Sequence, residues 1–193
     1  MKERTIAGFV LTCVGDNRTF SFMPSRLGET LADKVANHII SNFYPQTKKY
    51  SFLQRGSDER QFCTPLIDLP VVSLMRSKYA TFPEYHTSDD NLDFISHEGL
   101  NGGFEINRKS IEAIEINFCY LATIIGEPKM DKRGLRATIG AKSLPHNIVH
   151  VMNFLMYADG SDLLDISERI GLDIFKSNEI AKILLEHNLI KII

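Results

Sequence analysis

The seven residues Leu69 to Met75, LPVVSLM, run apolar almost without interruption. A strand with one wet face alternates polar and apolar side chains, so a strand without alternation must be covered on both faces. That requirement calls for a sheet sandwiched between other layers, which points to an α/β architecture. Phe9 to Val14, FVLTCV, makes the same demand and ends in Gly15-Asp16-Asn17, a turn sequence. Parallel sheets grow outward from earlier βα units. A buried strand this close to the first residue is therefore expected to want neighbours that do not precede it.

The remaining pattern is mixed. Phe20 to Met23 reads as a short strand stopped by Pro24. Leu31, Val35, Ile39, Ile40 and Phe43 recur at helical spacing behind the capping pair Thr30 and Asp33, predicting a helix over 30–43. Tyr50 to Leu53 reads as a strand leading to Gly56. From 97 to 118 the stripe Leu100, Phe104, Ile111, Ile114 and Phe118 predicts a second amphipathic helix. Gly102-Gly103 within it costs about 1 kcal/mol per glycine, so a kink or a later start is expected there.

Residues 126–144 carry glycine, proline and charge without periodicity, as a connecting loop would. After them, Pro145 opens a helix, Leu163 to Ile170 makes a second ended by Gly171, and Asp173 to His187 makes a third. Asn188 and a closing strand, Leu189 to Ile193, complete the outline of a winged helix-turn-helix. The expected organisation is an α/β domain over 1–125, a loop over 126–144 and a winged helix over 145–193.

Charge and composition narrow the function classes. The chain is 44% apolar and 24% charged, which excludes a disordered tail, a collagen-like repeat or a coiled-coil rod. No apolar run approaches the roughly 20 residues of a membrane span, and residues 1–17 lack the long apolar core of a signal peptide, so a cytoplasmic protein is expected. The net charge of −2 gives no overall attraction to nucleic acid. Residues 145–193 hold four basic residues against seven acidic ones, and the third helix alternates Asp173, Lys176, Glu179, Lys182 and Glu186. A DNA-reading helix is normally basic, so packing or oligomerisation is the expected role. Cys13, Cys63 and Cys119 are an odd set without metal-knuckle spacing, as free thiols are.

Two polar stretches could carry chemistry. Ser57-Asp58-Glu59-Arg60-Gln61 follows a predicted strand, where open α/β sheets place ligands, although a solvated turn has the same composition. Pro83 to Asp93, PEYHTSDDNLD, holds one histidine among acids. Such a histidine is either a metal ligand oriented by a carboxylate or a plain surface residue.

Together these stretches resemble the C-terminal half of zinc-dependent aminopeptidases of the co-catalytic di-zinc exopeptidase fold. More closely, the chain resembles a bacterial aminopeptidase-like family that ends in a winged helix and often lies in surface-glycan gene neighbourhoods. The motifs stand here as Cys13 to Asp16, Asp58 to Gln61, Leu69 to Arg76, Glu84 to Phe94, Glu127 to Leu135, and the closing 145–193.

The resemblance implies a partial mixed-sheet exopeptidase-like domain and a zinc cofactor, with His86 as the last metal histidine. Asp16 is implied as a metal carboxylate, with Thr12 the alternative aligned position. Asp58, Glu59, Arg60, Tyr85 and Asp90 would bind substrate or support the site. Arg60 could hold a carboxylate as a bidentate fork, or form an ion pair with Glu59 or Glu84.

It also implies that the first histidine, the bridging aspartate and the general-base glutamate lie outside this sequence. A catalytic zinc needs about three protein ligands, so the chain is expected to be inactive alone. Its expected partners are further copies of itself or a polypeptide that supplies the missing N-terminal half. The rivals are a non-catalytic remnant acting as a scaffold and a winged-helix DNA-binding module.

Overall fold

The stretch ending at Met75 is covered on both faces and organises the first part of the chain, whereas the stretch from Phe9, expected to be covered as well, is only partly buried, with Leu11 69% exposed. The computed structural model describes residues 2–133, 135 and 148–193. These divide into two compact units, Met1–Glu112 and Ala113–Ile193. The elements of the first are β1 (Gly8–Val10), β2 (Ser21–Met23), α1 (Leu31–Phe43), β3 (Lys48–Lys49), α2 (Glu59–Phe62), β4 (Val71–Met75) and α3 (His97–Glu115, which runs on past the boundary).

The sheet order is β1-β4-β2-β3. β4 is parallel to β1, with Gly8 opposite Val71 and Val10 opposite Ser73, and antiparallel to β2, while β2 and β3 run parallel. All five residues of β4 are buried, as its unbroken apolar run requires. α1 covers the sheet with Ala32, Val35, Ala36, Ile39 and Ile40. Its start is fixed by the capping box read from the sequence. Thr30 Oγ1 accepts from the Asp33 backbone N–H, and the Asp33 carboxylate accepts from Thr30 N.

Three local expectations fail for identifiable reasons. The strand expected over 9–14 stops at Val10, because Cys13 turns the chain at φ +48° and its carbonyl accepts from Arg76 N at 2.9 Å. Tyr50 to Leu53 is not a strand. Ser51 instead caps a 3-10 turn, Phe52–Gln54, its hydroxyl accepting from Leu53 N while Gln54 Oε1 accepts from Ser51 N.

α3, in turn, runs unbroken through Gly102-Gly103. A methyl on Gly99 would sit 2.0 Å from the Gly15 carbonyl oxygen, and one on Gly103 would sit 2.7 Å from that of Val14. The glycines let helix backbone touch turn backbone, an advantage that helix propensity does not measure. The stripe expected to be buried is largely open: Leu100, Phe104 and Ile111 are 47%, 62% and 48% exposed.

The second unit contains β5 (Cys119–Ala122), α4 (Ile148–Met156), β6 (Asp159–Asp162), α5 (Leu163–Ile170), α6 (Ile174–Glu186) and β7 (Ile190–Ile192). β5, which periodicity did not mark, lies between β6 and β7 and is antiparallel to both. Phe154, Leu163, Leu164, Ile166, Ile180 and Leu184 form its core. Asp162 and Asp173 cap α5 and α6, and Gly171 ends α5 at φ +69°. Three helices and a three-stranded sheet make a winged helix. Residues 134 and 136–144 of the expected loop, and 145–147 at the expected start of the first helix, lie outside the described residues; the rest of that helix is α4.

Candidate functional site

The carboxyl ends of the parallel strands β1 and β4 lie side by side, where a sheet of this kind presents its loops to ligands. After β1 the chain turns through Cys13 and Asp16; after β4 it runs through Arg76, Ser77, Lys78 and Tyr79. Those four polar residues are 3–6% exposed. Their signal in the sequence is a run of polar residues directly behind the apolar strand, less conspicuous than the two neighbouring polar loops.

Asp16 is 2% exposed and holds the two turns together. Its carboxylate accepts from Ser77 Oγ at 2.7 Å, Ser77 N at 2.8 Å and Arg18 N at 3.0 Å. Arg76 Nε donates to the Asp16 carbonyl at 2.7 Å, and its guanidinium lies 3.9 Å from the Phe20 ring centroid. Thr12, the alternative position, is half-buried with its hydroxyl toward Cys13 Sγ at 3.7 Å.

Glu59 is fully buried in the short helix α2. Its Oε1 accepts from Tyr79 Oη at 2.5 Å, Gly56 N at 2.9 Å and Ser57 N at 3.0 Å, and its Oε2 from Ser73 Oγ at 3.2 Å. Burial alone would push its pKa up, but the donors from Tyr79, Gly56 and Ser57 outweigh it and hold the carboxyl below its ordinary range. The same pair raises Tyr79, through burial first and the Glu59 carboxylate second.

Lys78 is buried against the Tyr79 ring, with Nζ 4.0 Å from the centroid and 3.2 Å from the Tyr79 carbonyl it donates to. Burial lowers its pKa, opposed by the charges of Glu59 and Cys13. Burial raises the Cys13 thiol, and Asp90 and Asp16 push it in the same direction.

The second loop arranges its residues differently. His86 is exposed at φ +60°, its ring stacked on Tyr85 at a 4.0 Å centroid distance. Tyr85 is half-buried against Phe82 and Tyr79. Glu84 pairs with Arg18, not with Arg60. Asp90 and Asp58 are exposed, and Asp58 caps α2 by position without a side-chain bond. Arg60 is exposed too, and with Arg26 and Arg55 it lines an open pocket of about 530 Å³. Of these three, Arg26 is held by Asp68 at 2.7 Å.

The arrangement brings Cys13, Asp16, Glu59, Lys78, Tyr79 and Tyr85 to one end of the sheet. It does not assemble a metal centre: among the described residues no three His, Cys, Asp or Glu side chains could hold one ion together. The carboxylate of Asp16 is already committed to three donors. As placed here, His86 and Asp16 do not fit the three-ligand requirement of a catalytic zinc.

A mixed α/β sheet with a polar site at its strand ends, followed by a winged helix, defines the class of this chain. It belongs to the family described as Domain of unknown function (DUF4910), whose pattern matches residues 1–117, and a winged helix-turn-helix family matches 118–192. A Clostridium acetobutylicum protein is 35% identical over 189 residues, 96% of this chain. Its provisional name is polysaccharide biosynthesis protein with aminopeptidase-like domain.

A crystal structure from Clostridium acetobutylicum, provisionally named a peptidase, superposes with a TM-score of 0.86 at 32% identity over 97% of this chain. The chain spans 43% of the first relative's length and 42% of the second's. It is thus related to peptidase-like proteins. No helix among the described residues is long and apolar enough to cross a membrane.

Proposed function

We propose that this chain is the winged-helix-bearing part of an aminopeptidase-like amide hydrolase, and that it does not form a competent metal site by itself. The observation that carries this is the condition of the two candidate ligands. Asp16 is sealed by Ser77 and Arg18, while His86 stands exposed with Tyr85 stacked against its ring. In this reading His86 offers one donor to a zinc whose other ligands come from outside the chain. Tyr85 and Asp90 flank it, Asp58 and Arg60 face substrate from the α2 turn, and Glu59 holds that turn in place. Arg60, beside Arg55, would take a substrate or product carboxylate as a fork.

Zinc per chain, measured by elemental analysis on the purified protein and on His86→Ala, tests the proposal. The expected result is no stoichiometric zinc in either. About one zinc per chain, lost in the variant, would mean that local residues complete a site and would overturn the reading.

A further inference from the structure

Arg26, Arg55 and Arg60 line the open pocket of about 530 Å³ at α2, and among the described residues no Asp or Glu lines it. Three guanidinium groups around one hollow stand out in a chain whose net charge is −2. Arg18, Arg26 and Arg108 are each held by an acid, whereas Arg55 and Arg60 form no ion pair among the described residues.

The local fold sets each arginine in place. Asp68 grips Arg26 through Nε at 2.9 Å and Nη2 at 2.7 Å, a fork that leaves Nη1 outside it. The capped turn Phe52–Gln54 leads into Arg55, whose guanidinium lies 5.0 Å from the Phe52 ring centroid and donates to the Phe52 carbonyl at 3.4 Å. Arg60 follows Glu59 on α2, and Glu59 is anchored by Tyr79, Gly56 and Ser57. The pocket therefore shares α2 with the polar group at the strand ends. Beside the arginines stand Leu27, Phe52 and Leu53, of which Leu27 and Leu53 are 65% and 85% exposed.

A guanidinium presents paired N–H donors that match two oxygens of a carboxylate or a phosphate. Asp68 answers one of the three positive charges, so two remain for a ligand. Two unanswered forks next to an apolar wall suit a doubly charged oxyanion on an apolar body.

We propose that this pocket binds a dianion, either two neighbouring carboxylates or a phosphate monoester, carried on an apolar stem, and so selects acidic substrates. The inference deepens the single carboxylate contact given to Arg60 above and rests on the hydrolase reading for the ligand's role as substrate. The binding itself involves no metal.

The test is isothermal titration calorimetry on the full chain with a metal chelator present, at about 0.15 M ionic strength, where loose surface attraction is screened. The probes are acetyl-Phe-Glu-Glu-amide, phenyl phosphate and the neutral acetyl-Phe-Gln-Gln-amide. Saturable one-to-one binding of a dianion is expected, roughly tenfold or more tighter than that of the neutral peptide, and weakened roughly tenfold or more by Arg55→Ala or Arg60→Ala. Binding of the acidic peptide identifies paired carboxylates as the group recognised, and binding of phenyl phosphate a phosphate monoester. Both arginines are exposed, so neither variant removes core packing, and circular dichroism checks that both fold. Saturable binding of neither dianion, equal affinity for the neutral peptide, or affinity that both variants leave unchanged would overturn the inference. The zinc measurement reads His86 without an anion, so each experiment can fail while the other stands.

Discussion

Removing the Glu59 carboxylate tests whether the polar turn before β4 is a structural knot. In Glu59→Ala three donors lose their acceptor: Tyr79 Oη, Ser73 Oγ and the Ser57 N–H, while the Gly56 N–H keeps Tyr79 Oη at 2.8 Å. Ser57 is half-buried, so water can answer its N–H, but Tyr79 and Ser73 are 3% and 0% exposed. A buried group left unpaired costs about 1–3 kcal/mol, so two sealed donors predict a loss of about 2–6 kcal/mol. At about 4–8 °C per kcal/mol for a unit of this size, the first unit's transition falls by roughly 10 °C or more. Glu59→Gln keeps an acceptor and loses the charge, a smaller loss of about 1–2 kcal/mol.

The pH dependence has a definite sign. Glu59 is held below its ordinary range in the folded protein. Its stabilisation is therefore complete above the unfolded value near about pH 4.3, and is lost as pH falls through the lower folded value. The gap between wild type and Glu59→Gln should thus be widest at neutral pH and close as pH falls below the unfolded value and through the lower folded one. Thermal and urea unfolding followed by circular dichroism reads both effects. An Ala variant within about 0.5 kcal/mol of wild type, or a Gln gap that does not vary with pH, would refute the reasoning.

Two further outcomes follow from the same turns. Asp16→Asn should destabilise the metal-free protein by about 1–3 kcal/mol in urea unfolding, because one charge-assisted acceptor of Ser77 and Arg18 is replaced by an amide; unchanged stability would restore Asp16 as a free ligand candidate. Gly99→Ala places a methyl 2.0 Å from the Gly15 carbonyl oxygen and 2.6 Å from that of Asp16, both backbone atoms with little room to retreat. It should lower stability by about 3 kcal/mol or more, and a thermal shift assay would show it.

What the sequence disclosed was local. The α1 capping box, the buried β4 strand and the α5–α6 pair with its Gly171 stop are written in neighbouring residues, and the structure matches them closely. Apart from Tyr50 to Leu53, where Ser51 and Gln54 cap a local turn, the failures involve partners far along the chain. Nothing near Cys13 says that its carbonyl will meet Arg76, 63 residues later, and end the strand early. Glycine propensity in α3 cannot report that Gly99 and Gly103 rest on the turn after β1. β5 gains its place from β6 and β7, not from its own alternation.

The candidate site shows the same division. Its residue types stood out in the loops, but the sequence did not say that Glu59 is sealed while Arg60 is open, because adjacent residues on a short helix point different ways. Nor did it single out Lys78 and Tyr79, whose roles depend on Glu59 across the sheet.

The register that sets Gly8 against Val71 also bears on how the protein is made. β1 leaves the ribosome well before the strand it hydrogen-bonds to, and at about 5–20 residues per second that interval is roughly 3–12 s. Throughout it β1 lacks β4, and the glycine-bearing start of α3 that rests on the turn after β1 is made later still. The second unit has no such wait between its last elements, since α5, α6 and β7 follow one another directly. During synthesis, therefore, β1 stays open to a chaperone for as long as its partner strand β4 takes to emerge.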